Sequence, residues 1–112
     1  MKSYSLEDEA GLVKRLSKGN LLAFNTLFRE YSGRLFRFAN GYLKSEAESE
    51  EVVQEVFTII WEKRESLDPD LSFKSYIFTI SFNIIRKHFR KNKNISKYLN
   101  EKVNNDLDNR TL

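Results

Sequence analysis

Cysteine is absent from this 112-residue chain, so neither a disulfide nor a thiolate metal site can form. A reducing compartment suits such a composition. Histidine occurs once, at His88, with no second metal ligand at a standard spacing, which argues against a zinc site or a histidine general base. The four glycines stand isolated, so no glycine-rich loop is available to cradle a phosphate. The acidic stretch from Glu46 to Glu55 lacks the ligand spacing and the glycine of an EF-hand. No apolar run approaches the roughly 20 residues that cross a bilayer. The opening MKSYSLEDEA is acidic and has no apolar segment, unlike a signal peptide. The expectation is a soluble, intracellular protein that is not an enzyme, needs no cofactor or metal, and does not insert into a membrane.

Strand-like alternation is also scarce, and helical periodicity fills its place. With 40% hydrophobic residues the chain suits one domain with a modest core. Leu6 to about Leu16 reads as a first helix, capped by Ser5 with Asp8 in the capping-box position. Lys18-Gly19-Asn20 breaks it, and Asn20 caps a long second helix from Leu21 to about Leu43. Gly33 and Gly41 weaken that helix, with a kink expected at Gly33. Ser45 and Glu48 have capping-box spacing and open a third helix to about Arg64. The only proline, Pro69, sits among turn formers between Glu65 and Ser72, which marks a loop. Ser72 then caps a fourth helix ending near Arg90. These parts predict an all-α fold, a compact bundle of three to five helices, with residues 92–112 a partly helical tail or linker.

The net charge of +3 is ordinary, but its placement is polarised. Glu46, Glu48, Glu50, Glu51 and Glu55 crowd the start of the third helix without a cation among them. From Lys74 to Lys97 there are seven Lys and Arg residues and no acidic one. Such a division presents two faces to two kinds of partner. On the third helix Glu51, Gln54, Glu55, Thr58 and Glu62 share an arc of about 100°, opposite Val52, Val53, Val56 and Ile60. Trp61 sits at the edge of that arc, where core packing is its simplest role. On the fourth helix, Tyr76, Thr79, Asn83, Arg86, Lys87 and Arg90 share a similar arc. Phe78, Phe82, Ile85 and Phe89 form one apolar stripe and Ile77, Ile80 and Ile84 another, so only the polar strip is expected to be exposed. Taken alone, either polar arc reads most simply as a solvated helix face. A strip of cations, amide, hydroxyl and phenol nevertheless suits phosphates, base edges and base stacking.

The run EVVQEVFTIIWEKR (residues 51–64), a short loop, and then FKSYIFTISFN (residues 73–83) before Arg86, Lys87, Arg90 and Lys91 occur in that order. The combination resembles region 2 of bacterial RNA polymerase sigma factors of the small extracytoplasmic-function type, over roughly Leu12 to Lys91. The resemblance implies a bacterial transcription initiation factor domain in residues 1–91, working in the cytoplasm. It implies that Glu51, Gln54, Glu55 and, more weakly, Glu62 dock on the coiled coil of the β′ subunit of RNA polymerase core. It further implies that the loop from Ser66 to Phe73 and the strip Tyr76, Thr79, Asn83, Arg86, Lys87 and Arg90, with Lys91, take the non-template strand of the promoter −10 element. In the family that loop captures a flipped base; Asn83 is the candidate for a base edge and Tyr76 for closing the pocket. An anti-sigma factor is a further partner of such proteins. The family's second domain, which reads the −35 element, has no counterpart after Asn92, so residues 92–112 would lead towards a domain absent from this sequence.

Two other readings compete. A helical adaptor would use both charged faces for protein partners and bind no DNA. A general single-stranded nucleic-acid module would bind with little sequence preference and ignore the polymerase coiled coil.

Overall fold

The computed structural model describes residues 5–111, with side chains described for Ser5 and residues 7–93. Ile95, Lys97, Tyr98, Leu99, Val103 and Leu107, which belong to the expected tail and to the end of the basic run, lie outside the described side chains. Among the described residues there are four α-helices, one 3-10 turn and no strand: α1 (Leu6–Ser17), α2 (Leu21–Leu43), α3 (Glu46–Glu62), the turn Arg64–Ser66, and α4 (Phe73–Thr111).

Local chemistry sets the helix starts. Ser5 Oγ accepts from the Asp8 amide while Asp8 Oδ2 accepts from the Ser5 amide, a reciprocal pair that satisfies two orphan donors. Asn20 Oδ1 accepts from the Ala23 amide at 2.9 Å and starts α2 after Gly19, whose φ of +86° ends α1. Ser72 Oγ accepts from the Ser75 amide at the start of α4. α2 runs through Gly33 and Gly41 without interruption.

Packing follows the apolar periodicity. Leu12, Val13 and Leu16 of α1, Leu27, Tyr31, Leu35 and Ala39 of α2, Val52, Val56 and Ile60 of α3, and Ile77, Ile84 and Ile85 of α4 close one core. Fully burying such side chains contributes about 1.5–3 kcal/mol each, which holds α3 helical despite its β-branched residues.

Three features differ from the sequence reading. α4 does not stop near Arg90: no proline follows Pro69 and no glycine follows Gly41, so nothing local ends the helix before Thr111. The aromatic stripe of α4 is not covered along its length, for Phe82 is 40% and Phe89 44% exposed. α2 supplies Phe38 against Phe78 and Tyr42 against Phe82, at centroid distances of 5.2 and 5.8 Å, and then ends at Leu43, leaving Phe89 beyond its reach. Finally, the expected capping box of α3 is half formed. Ser45 Oγ accepts from the Glu48 amide, but the Glu48 carboxylate turns to α4 instead of back to Ser45.

Candidate functional site

The acidic arc is placed by the valines opposite it. Burial of Val52, Val53, Val56 and Ile60 turns Glu51, Gln54, Glu55, Thr58 and Glu62 to solvent, all of them exposed. None of the three carboxylates has an ion-pair partner among the described residues, so their field is available to an outside cation. Beside the arc the α2–α3 surface is apolar. Leu21, Phe24, Phe28, Phe57 and Trp61 line a shallow groove that Gln54 and Thr58 also border. Phe24 stacks edge-on against both Phe57 and Trp61 there, at centroid distances of 5.9 and 5.2 Å. Trp61 is half-buried, with the Arg64 guanidinium 4.2 Å above its ring. Trp61 therefore packs as expected and also walls a groove that sequence reasoning missed. The signal for the groove is a pair of adjacent leucines, Leu21 and Leu22, both exposed on α2.

The basic strip is placed in the same way by α4's buried face. Ile77, Ser81, Ile84 and Ile85 are buried, and Thr79, Asn83, Arg86, Lys87, Arg90 and Lys91 all lie exposed on the outer side. Tyr76 is half-buried at the head of that strip. Lys87 and Lys91 share a shallow cleft with Glu51 and Glu55 of α3, floored by His88, so the two charged faces meet at one edge.

The loop between α3 and α4 encloses a cavity of about 150 Å³. Ser66, Phe73 and Tyr76, three of the residues singled out from the sequence, line it together with Val13 of α1 and Leu67, Asp68, Leu71 and Ser72 of the loop. Asp68 Oδ1 accepts from the Asp70 amide at 2.9 Å and shapes the turn. Ser66 Oγ donates to the Lys63 carbonyl at 2.7 Å. Phe73 is only 5% exposed and packs edge-on against Tyr31, with centroids 5.7 Å apart, so it belongs to the core as well as to the cavity wall. Asn83 does not line the cavity; it sits seven residues beyond Tyr76, about 10 Å along the helix. The sequence reading does not foresee the contribution of α1. Its sign in the sequence is Glu9, a carboxylate three and four residues before Leu12 and Val13 on the buried face of the helix.

In chemical terms the surface offers an acidic arc with an apolar groove beside it, and a cation-bearing strip that leads to a small, partly apolar cavity. The first suits a basic, amphipathic protein surface. The second suits a single nucleic-acid strand whose phosphates meet cations while a base enters the cavity.

Comparison with known proteins agrees with this architecture. The model of the sigma-70 region 2 family matches residues 27–95. RNA polymerase sigma factor CnrH of Cupriavidus metallidurans is 29% identical over 79 residues, covering 70% of this chain and 41% of CnrH. RNA polymerase sigma factor NccH of Alcaligenes xylosoxydans xylosoxydans is likewise 29% identical over 79 residues, covering 70% of this chain and 42% of NccH. The chain thus spans about two fifths of the length of these relatives. An engineered region 2 of sigmaE, solved by NMR in complex with GTAAAA, superposes with a TM-score of 0.68 at 26% identity, over 74% of this chain and 86% of that one. CnrH in complex with the cytosolic domain of CnrY superposes with a TM-score of 0.68 at 28% identity, over 70% of this chain and 51% of that one. The all-α fold and the resemblance drawn from the QEVF run and the aromatic-basic helix are both borne out, and the chain belongs to the sigma-70 region 2 family.

Proposed function

We propose that this chain is the core-docking and −10-binding domain of an extracytoplasmic-function sigma factor, with residues 1–91 as the working unit. It acts in bacterial transcription initiation, in the cytoplasm, by binding rather than by catalysis. Glu51, Gln54 and Glu55, with Glu62 at the end of the arc, dock on the basic coiled coil of the polymerase β′ subunit. Arg86, Lys87, Arg90 and Lys91 hold the phosphates of the non-template strand, while Thr79 and Asn83 face its bases. A flipped base enters the cavity between the loop and Tyr76, with Ser66 at its rim and Phe73 as its floor.

The observation that carries this reading is the continuity of the cavity with the strip. Tyr76 is at once a wall of the cavity and the first residue of the cation-bearing arc, so one strand can be held by its backbone while one base leaves the stack. Support comes from the sigmaE region 2 neighbour, which is in complex with GTAAAA. An anti-sigma factor is a third partner in this reading, in keeping with CnrH's complex with the cytosolic domain of CnrY.

The test is direct. The chain is expected to retain RNA polymerase core and the isolated β′ coiled coil, and, once bound to core, to prefer a single promoter strand over its duplex. An adaptor would bind no strand. A general nucleic-acid module would leave the coiled coil unbound, and either result sinks the proposal.

A further inference from the structure

A second cavity, of about 370 Å³, opens on the other side of the same loop, against α1. Leu71, Ser72 and Phe73, with Val13 of α1, line both cavities and form the wall between them. Leu71 is 70% exposed on that wall, where an apolar side chain can wedge between stacked bases.

Glu9 of α1 lines the second cavity and is 7% exposed. Among the described residues its oxygens accept hydrogen bonds only from the Tyr31 hydroxyl, at 3.0 and 2.9 Å. A carboxylate has about four lone-pair sites, so one donor leaves most of its desolvation cost uncompensated. Pinning α1 to α2 does not require that cost, since a neutral or apolar pair would do it as well. A ligand with adjacent N–H groups would compensate it. Lys74, exposed on the same cavity, can hold the phosphate next to an inserted base, and Asp70 on its edge turns that phosphate towards Lys74.

We propose that the second cavity receives another base of the same strand, and that Glu9 selects guanine there. Guanine carries N1–H and the N2 amino group side by side, a pair that matches the two oxygens of a carboxylate. Adenine and cytosine place a ring acceptor beside their amino group, and thymine flanks its one N–H with two carbonyls, so each sets an acceptor against Glu9. The inference rests on the reading that this loop takes the non-template strand, and adds to it a second point of insertion and the base inserted.

The test uses the 112-residue chain bound to polymerase core and a pool of single-stranded decamers of random sequence. The unaltered protein is expected to retain strands with a preferred guanine in addition to the positions read by the first cavity and the strip. Glu9→Gln presents an amide N–H to the guanine amino group, and is expected to reduce the guanine preference about tenfold while leaving the other positions unchanged. Circular dichroism checks that the variant is folded. A ligand-side measurement avoids any folding defect: inosine, which lacks the N2 amino group, replaces the selected guanine and is expected to weaken binding to the unaltered protein about five- to tenfold. Equal affinity for guanine and inosine, a guanine preference that survives Glu9→Gln, or no preferred guanine at all each overturns the second insertion while leaving the first cavity's role standing. Absence of preference at every position removes both.

Discussion

Asn92 of α4 donates from Nδ2 to Glu48 Oε1 of α3 at 3.1 Å, and His88 Nδ1 lies 3.3 Å from the same oxygen. His88 and Asn92 are four residues apart and therefore stacked on one face, so a single carboxylate from the start of α3 holds two turns of α4. Those turns lie beyond Ile84 and Ile85, the last α4 residues in the core among those described, and they carry Arg90 and Lys91. The clamp thus fixes the far end of the basic strip, two turns whose described side chains add nothing to the buried core.

Glu48→Ala is accordingly expected to lower stability by about 1 kcal/mol, discounted from a buried charged hydrogen bond because the carboxylate is partly exposed. That corresponds to a fall of about 4 °C in Tm for a domain of this size. Thermal melts of Glu48→Ala, Asn92→Ala and the double variant measure the coupling. Strict additivity of the two single changes would show that the hydrogen bond between them contributes nothing.

The acidic arc yields a second prediction. Glu51→Lys with Glu55→Lys removes two exposed carboxylates and places like charges against a basic partner. Binding to core or to the isolated β′ coiled coil should weaken by about 1–3 kcal/mol for each charge-assisted hydrogen bond removed. Stability should change by no more than about 0.5 kcal/mol, because both side chains stand exposed on the helix surface. Undiminished retention of core by a variant that melts normally rules out this docking surface.

For the basic strip the decisive variable is salt. A phosphate contact releases a counterion, so each one removed should flatten the slope of log affinity against log salt by roughly one unit for duplex and somewhat less for a single strand. Arg86→Ala and Arg90→Ala should each do so, and should weaken matched and mismatched strands alike. An unchanged slope in the double variant removes the phosphate-holding role.

How much of the fold is legible in the sequence depends on the range of the interaction concerned. Helix starts are readable because caps act within four residues: Ser5 with Asp8, Asn20 with Ala23, Ser72 with Ser75. Which face of α3 and α4 is polar is equally readable, since period fixes it. What periodicity cannot give is whether an apolar face finds a neighbour. Phe78 does, in Phe38, whereas Phe89 lies beyond the end of α2 and remains half open to solvent. Glu48 shows the same limit: its spacing from Ser45 fits a capping box, but His88 and Asn92, 40 and 44 residues away, draw its carboxylate elsewhere. The loop cavity is expected only through the family resemblance, and the share of α1 in it, through Val13, has no sign in the sequence beyond Glu9 on the same buried helix face.

Base selection supplies the last prediction. Extruding a base costs a few kcal/mol, which the cavity must return through stacking and hydrogen bonds. Ser66, Asp68 and Ser72 provide polar groups around a wall of Leu67, Leu71, Phe73 and Tyr76, so the cavity can both stack a ring and read its edge. Asn83 stands outside it on the strip, exposed, with an amide able to donate and accept at a neighbouring base. The two elements should therefore separate on mutation. Asn83→Ala is expected to relax preference at one or two −10 positions by about 1–3 kcal/mol of discrimination while leaving retention on heparin similar. Replacing residues 66–72 by a Gly/Ser segment of equal length removes the cavity walls but keeps Phe73 in the core. That variant should lose preference for the promoter strand and still dock on polymerase core. Competition between promoter and scrambled single strands for the core-bound protein measures both effects. Full promoter preference in the loop variant would place base reading wholly on the strip and leave the cavity without a role in it.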